Sequence, residues 1–572
     1  MIIDDEKLGK VLLDNDIFTK EKLELTQKNA KTDNLSLFDY LLQTKLISQE
    51  ILFNLLANFL KIPLINLKTE TIKKEIFNLI PETIAATHEI IAFNETPEGI
   101  KIATTDPTDL EILEFIKKRL GKNLILHLAT STDIQDSLKQ YHHGLEAEFE
   151  NISKQQAENK TDAELATDLP IVRVVDTLLE YAIFSGASDI HIEPTDSAVS
   201  IRYRVDGMLK EVMSLPKNLQ AGLIARIKVL SNLKLDEHRL PQDGRFKLSD
   251  SQYNIAFRVS TIPVFDGEKI ALRLLDESAK KFDLNDLGLE KKPLEILTNS
   301  FKKPHGIIFV TGPTGSGKTT TLYTIMQILN KPELNIATIE DPIEYRLQGI
   351  NQSQVNPKID FTFAKGLRAL LRQDPDIIMV GEIRDKETAD IAIHAAMTGH
   401  LVLSTIHTND TVSTPQRLIN MGVQPFLISS TTNLIMAQRL VRKVCKNCLS
   451  SYNLDKKTMD DLTKNFNLEK IMGFLSAEGL VAKGQNSLDS LLFYRGKGCK
   501  KCGGTGYKGR VGIYEILEIT PAISDLIINK QGTEPLIKAA EAQGMITMAQ
   551  DGFIKALKGI TSIEEIIRVT QE

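Results

Sequence analysis

Residues Gly312 to Thr319 read G-x-x-x-x-G-K-[ST], the spacing of a loop that cradles phosphate groups in its backbone amides. Within Gly312-Pro313-Thr314-Gly315-Ser316-Gly317-Lys318-Thr319-Thr320, the three glycines free the backbone for positive φ and for close approach to an anion. Lys318 supplies a point charge for the β and γ phosphates of a nucleoside triphosphate, and the Thr319 hydroxyl suits a Mg2+ that keeps most of its waters. Downstream, Glu340, Glu382 and His407 each follow a short apolar run. One carboxylate beside a phosphate loop can hold Mg2+ through its waters, while a second orients or deprotonates the attacking water. Glu340 is the expected partner of the water and Glu382 of Mg2+, although spacing alone does not decide between them. His407 can donate a hydrogen bond to the γ-phosphate and register its loss on hydrolysis. All four cysteines fall in two C-x-x-C pairs, Cys445 with Cys448 and Cys499 with Cys502, the number and softness of a closed, structural Zn2+ site.

These groups need a sheet to converge on. The runs Ile307–Val310, Ile336–Ile339, Ile377–Val380 and Leu401–Leu403 each end in polar residues, and ligands of open parallel sheets bind outside the carboxyl ends of the strands. Helical stretches at Thr320–Leu329, Phe363–Leu371 and Glu387–Met397 supply the crossovers that parallel strands require. Asp376 begins its strand at the far end and is expected to be structural.

At 572 residues the chain should hold about three to five domains. Its net charge of −6 gives no basic footprint for counterion release, which argues against nucleic acid as partner. The start, MIIDDEKLGK, is acidic, and no run of 18 or more apolar residues occurs, so a cytoplasmic location with no transmembrane segment is expected.

Residues 1–145 read as an N-terminal docking or regulatory domain. It opens with a degenerate repeat at an offset of 29, in which Leu8, Leu12, Ile17, Thr19, Glu21 and Leu23 answer to Leu37, Leu41, Leu46, Ser48, Glu50 and Leu52. Each copy is expected to be a helical hairpin whose second helix is capped by Thr19 or Ser48. An α/β stretch follows from Ile84 to about Tyr141, then an acidic linker at 146–168. Residues 169–285 read as a compact α+β domain, with a helix at Val172–Phe184 and a half-buried strand at Ser200–Val205. Arg226, Arg239 and Arg245 lie in it, the last two flanking an expected turn at Pro241-Gln242-Asp243-Gly244. Local sequence alone reads these arginines as a solvated basic face. The core spans 286–440, the cysteine subdomain 441–510, and a C-terminal region 511–572 is expected to be helical from Gly512 onward, with a capping box at Ser562 and Glu565.

The stretches TGPTGSGKTTTLY, ATIEDPIEY, LRQDPDIIMVGEIRD and GHLVLSTIHTND resemble the phosphate loop, Asp box, Walker B and His box of the secretion ATPases, in particular the type IV pilus assembly and type II secretion branch. The resemblance covers about residues 165–572, and GCKKCGGTGYKGR resembles the second half of the family's zinc subdomain. It implies an α/β, RecA-like P-loop core preceded by a PAS-like α+β domain, with ATP, Mg2+ and Zn2+ bound. It assigns Lys318 and Thr319 to phosphate and Mg2+, Glu340 as catalytic carboxylate, Glu382 as the Walker B glutamate, and His400 and His407 as the His-box pair at the nucleotide. It also implies a homo-hexamer driving an inner-membrane platform, with arginines such as Arg226, Arg239 and Arg245 completing sites between subunits. Pilus assembly is the preferred machine, type II secretion the alternative, and a DNA-translocating motor is disfavoured by the acidic balance. The N-terminal repeat resembles a tandem that binds cyclic di-GMP in some relatives. Lys7-Leu8-Gly9 and Ser36-Leu37-Phe38 lack its arginines, so partner docking is expected instead.

Overall fold

The repeat folds as four helices, α1 (Asp5–Asp14), α2 (Lys20–Thr32), α3 (Leu37–Gln43) and α4 (Gln49–Leu60). Thr19 Oγ1 accepts from Lys22 N at 3.4 Å and Ser48 Oγ from Ile51 N at 3.3 Å, the caps expected at the second helix of each copy. Leu8, Leu12, Leu37, Leu41 and Leu52 are fully buried, whereas Ile17 and Leu46 are 36% and 44% exposed because they fall in the turns between helices. The computed structural model describes residues 5–571 other than 33–35, 45, 68–69, 71, 78, 81–83, 86–87, 139–167, 250–253, 277–282 and 482–486. The expected linker at 146–168 therefore lies, apart from Asp168, outside the described residues. Two compact units are present, residues 1–246 with 257–274, and residues 247–256 with 275–572.

In the first unit, β1 (Ile90–Thr96), β2 (Gly99–Thr104), α5 (Leu110–Leu120) and β3 (Leu124–Leu128) form the α/β part of the N-terminal domain. β1 runs antiparallel and β3 parallel to β2. The arginine-bearing domain has α6 (Leu169–Phe184), β4 (Ala187–Pro194), β5 (Ala198–Val205), β6 (Met208–Pro216), α7 (Gln220–Leu230), β7 (Gln242–Ser249), β8 (Asn254–Val264) and β9 (Gly267–Asp276). Its sheet order is β6-β5-β4-β9-β8-β7. Along β5, Ile201 and Tyr203 are buried, while Arg202 pairs with Glu193 at 2.5 Å and Arg204 with Asp189 at 3.6 Å on the opposite face.

One expectation fails here. The residues from Pro241 to Gly244 are not a turn but lead into β7. Gln242 fixes this entry by bonding Lys234 N (2.9 Å), Lys234 O (3.0 Å) and Glu237 O (3.0 Å). Gly244 is needed for proximity, since a Cβ there would meet Ser231 O at 2.6 Å.

The second unit is built on a seven-stranded sheet ordered β12-β11-β13-β14-β10-β15-β18. These strands are β10 (Gly306–Thr311), β11 (Ile336–Glu340), β12 (Asn351–Gln354), β13 (Ile377–Val380), β14 (Leu401–Ile406), β15 (Thr432–Val444) and β18 (Tyr507–Glu518). β10, β11, β13 and β14 are parallel and buried at every position, the pattern of strands covered on both faces. The crossovers are α9 (Lys318–Leu329), α10 (Phe363–Leu370) and α11 (Lys386–Met397), with α8 (Lys291–Phe301) before them and α12 (Ser413–Asn420) and α13 (Pro425–Thr431) after.

The C-terminal region departs from the expected helicity. Tyr507–Glu518 is an edge strand, antiparallel to β15 from Leu434↔Glu518 to Val444↔Tyr507, so residues on both sides of the expected boundaries at 440 and 510 belong to one arm. Val511, Ile513, Tyr514, Ile516 and Leu517 are buried along it. The cysteine lobe is the insertion at the tip of this arm, with β16 (Leu449–Tyr452), α14 (Lys456–Asn465), α15 (Leu468–Ala477) and β17 (Phe493–Gly496). Helices α16 (Pro521–Ile528), α17 (Thr533–Ala542), α18 (Met548–Leu557) and α19 (Ile563–Gln571) follow. The capping box is half made: Ser562 Oγ accepts from Glu565 N at 3.4 Å, but the Glu565 carboxylate is taken by Arg442 and Arg568.

Candidate active site

The phosphate loop leaves β10 at Gly312 and enters α9 at Lys318. Gly312, Gly315 and Gly317 have φ of 142°, 80° and 91°, and a Cβ on Gly312 would meet Gln438 O at 2.4 Å. Only glycine tolerates these demands together. Gln438 on β15 braces the loop, donating to Ser316 O at 2.7 Å and accepting from Thr321 at 2.8 Å. Two features fit a bound phosphate. Ser316 Oγ is buried without a protein partner, and the first turn of α9 begins at a glycine with no side chain to cap it. Lys318 Nζ donates to Gly312 O (2.8 Å) and Pro313 O (3.0 Å). Thr319 and Thr320 are half-buried in the first turn of α9.

The carboxyl edges of the neighbouring strands carry the remaining groups. Glu382, after β13, accepts from Arg384 at 2.6 Å and lies 3.2 Å from His407 Nε2, after β14. Burial pulls the Lys318 ammonium below its ordinary value, and the Glu382 carboxylate opposes that. Lys318, Glu382 and His407 thus share one electrostatic neighbourhood.

Glu340 ends β11, three strand positions from β10, or about 14 Å at ordinary strand spacing. It is 2% exposed and accepts from Thr338 (2.5 Å), Gln352 (3.1 Å) and the Tyr323 hydroxyl. Burial and then Glu340 itself push the Tyr323 phenol well above its ordinary value, so it remains the donor. Through Tyr323, which lies on α9, Glu340 is tied to the helix that begins at Lys318.

His400 does not join this group within the chain. It precedes β14, at the amino edge, with Nδ1 2.8 Å from Ala395 O. The six residues of β14 separate it from His407, about 20 Å of strand. Asp376 sits at that same far edge, where it accepts from Asn335 N at 2.7 Å. In the arginine-bearing domain Arg226 is half-buried and 3.9 Å from Asp176, while Arg239 and Arg245 are exposed. Sequence reasoning missed Tyr323, Gln352, Gln438 and Arg384. Arg384, two residues past Glu382, carried a local signal; Gln438 reaches the loop only through the pairing of β10 with β15.

In the cysteine lobe, Cys445 and Cys499 Sγ are 3.8 Å apart, Cys448 and Cys502 3.9 Å, and Cys499 and Cys502 3.7 Å. All four sulfurs lie within 4.8 Å of one another. Tetrahedral Zn–S bonds of about 2.3 Å set sulfur edges near 3.8 Å, so the set fits Zn2+, and the separations rule out disulfides. Backbone N–H groups of Cys499 (3.1 Å) and Gly506 (3.2 Å) donate to Cys502 Sγ. The segments on either side of Cys499 and Cys502 approach so closely that a Cβ on Gly496 would meet Gly506 O at 2.0 Å.

The family model described as "Type II/IV secretion system protein" matches residues 164–568. The chain belongs to that family. An MshEN domain model matches residues 60–148, mostly the α/β part of the N-terminal domain and not its four-helix repeat. Among curated relatives of this secretion ATPase, the type IV pilus assembly ATPase PilB of Myxococcus xanthus is 36% identical over 574 residues, covering 98% of both chains. The type II secretion system ATPase E of Vibrio cholerae is 45% identical over 425 residues, 74% of this chain and 80% of its own. The ATPase DotB of Yersinia pseudotuberculosis, known from an X-ray structure, superposes with a TM-score of 0.50 at 23% identity, over 70% of this chain and 93% of its own; that likeness concerns the fold alone. Among the described residues no helix is long and apolar enough to cross a membrane.

Proposed function

We propose that the protein is a cytoplasmic motor that hydrolyses ATP to ADP and phosphate and powers assembly of a type IV pilus, as a ring of six copies acting on an inner-membrane platform. The observation that carries this reading is the shared neighbourhood of Lys318, Glu382 and His407 at one sheet edge, in a chain similar along its whole length to a pilus assembly ATPase. Loop amides and Ser316 receive the phosphates, and Lys318 leaves the Gly312 and Pro313 carbonyls for them. Mg2+ held by Thr319 and, through water, by Glu382 would neutralise phosphate charge. A carboxylate offers about four acceptor positions; three at Glu340 are taken, which leaves one to orient the attacking water. His407 donates to the γ-phosphate. Zn2+ on the four cysteines is structural.

Charge developing on the γ-phosphoryl group calls for arginine, and Arg384 is engaged by Glu382. A ring interface can supply it from a neighbour's arginine-bearing domain. Arg239 and Arg245 are exposed, whereas Arg226 is half-buried and lies 3.9 Å from Asp176, which favours the first two for this role. Mixing Arg239→Ala with Glu340→Gln should then restore hydrolysis at mixed interfaces; no recovery, with subunit exchange shown, would remove Arg239 from the role. Residues 1–145 dock a partner and do not bind cyclic di-GMP, because Lys7 and Ser36 cannot stack a planar guanidinium on a base. Calorimetric binding at micromolar affinity would overturn this.

A type II secretion motor is the second reading, favoured by the higher identity to ATPase E over its shorter match. Deleting the gene separates the two: loss of surface pili with secretion intact is expected, and loss of secretion with pili intact would contradict the proposal.

A further inference from the structure

The loop after β14 is fastened at both ends. Thr311, the last residue before the phosphate loop, donates from Oγ1 to Thr408 O at 2.6 Å and accepts from Thr408 N at 2.9 Å. Three residues on, Thr411 donates from N at 3.0 Å and from Oγ1 at 2.6 Å to Oε1 of Glu515 on β18. Both residues are buried, Thr411 at 0% and Glu515 at 7% exposure. The same strand is bonded to α18: Tyr514 N donates to Asp551 at 2.8 Å, and Lys555 Nζ donates to Gly512 O at 2.7 Å. From there α18 carries Phe553, Ile554 and Ala556 into an apolar cluster shared with Leu475, Leu488 and Phe493 of the cysteine lobe.

A carboxylate this deep is costly unless its acceptors are served, and apolar side chains would fill the same space at lower cost. What the carboxylate adds is a directed junction, joining the loop that bears His407 to β18, the strand to which Asp551 and Lys555 bond α18. We propose that Glu515 is a positioning residue for the ATPase site, and that Thr411 and Glu515 form a latch through which displacement of the His407–Thr411 loop is passed to α18 and the cysteine lobe. The inference rests on the ATPase reading above. It gives the C-terminal module a defined input: as His407 follows the γ-phosphate, the far end of its loop pulls on Glu515 and so on the strand that Asp551 and Lys555 bond to α18. Because such coupling is reciprocal in binding free energy, loosening the latch must change both the loop and α18.

The test uses full-length Thr411→Val, which removes one donor at nearly constant shape, and Thr411→Ser, which keeps it. In Thr411→Val the turnover number is expected to fall about fivefold, the scale of one net hydrogen bond, with nucleotide affinity little changed; Thr411→Ser restores it. Amide exchange over residues 548–557 is read with and without a non-hydrolysable ATP analogue. Wild type and Thr411→Ser should show nucleotide-dependent slowing there, and Thr411→Val should not. A wild type that binds but does not hydrolyse ATP would overturn the ATPase reading and the latch together. A hydrolysing wild type whose Thr411→Val variant turns over equally, or keeps the same exchange change in α18, would overturn the latch alone.

Discussion

His407 Nε2 stands 3.2 Å from Glu382 Oε2, joining the carboxyl ends of two adjacent parallel strands. That contact turns two separate motifs into one unit: on the proposed reading, a phosphate met by His407 would be felt directly by the carboxylate proposed to hold Mg2+. Arg384, bonded to the other oxygen of Glu382 at 2.6 Å, fixes its orientation.

Glu382→Gln should therefore bind nucleotide nearly as wild type does but lose turnover, by more than about a hundredfold, since shape persists while the negative charge is gone. Fluorescent-nucleotide titration and phosphate release decide it. His407→Ala should lower turnover less and leave binding intact.

At Glu340, three donors converge on a carboxylate that is 2% exposed. In Glu340→Gln an amide N–H2 replaces one acceptor and leaves a donor unserved. The expected outcome is loss of turnover together with about 1–3 kcal/mol of stability, read by phosphate release and thermal unfolding. Tyr323→Phe, which removes one donor only, should cost less of both.

The phosphate loop, Glu382 and His407 were legible because each is a local event, a motif or a polar residue just past an apolar run. The paired cysteines were legible for the same reason. Gln438 was not, because it reaches Ser316 across 122 positions of sequence. β18 was misread since Ile513, Ile516 and Leu517 lie in a run too evenly apolar for its period to separate strand from helix. β7 escaped because its residues alternate between half-buried and exposed and include few apolar side chains to mark a face. His400 was grouped with His407 on motif alone, and the length of β14 parts them.

Purified protein should carry about one Zn2+ per chain, and chelation should loosen the cysteine lobe before the core, because metal binding and folding are coupled there. Elemental analysis with amide exchange over residues 441–510 checks this. Freely titratable thiols in a zinc-free native protein would contradict it.

Glu565 predicts an acid-sensitive clamp on the C-terminal helix. Burial alone would raise its carboxyl, but hydrogen bonds from Arg568 and Arg442 hold it at about 2 against an ordinary 4.5. The folded value is depressed, so the stabilisation is full above the ordinary value and is lost as pH falls toward 2. The shift corresponds to about 3 kcal/mol. Glu565→Gln should unfold more readily than wild type at pH 7, and the gap should close between about pH 4.5 and 2; a gap independent of pH would remove Glu565 as its source.

The central claim is ATP hydrolysis at the loop that Lys318 closes, and phosphate release by purified full-length protein with ATP and Mg2+ tests it most directly, comparing wild type with Lys318→Ala. The account predicts steady release by wild type and none above background from Lys318→Ala, whose loop loses the charge-assisted phosphate contact. Equal release by both proteins, or none by a folded, assembled wild type, would contradict it.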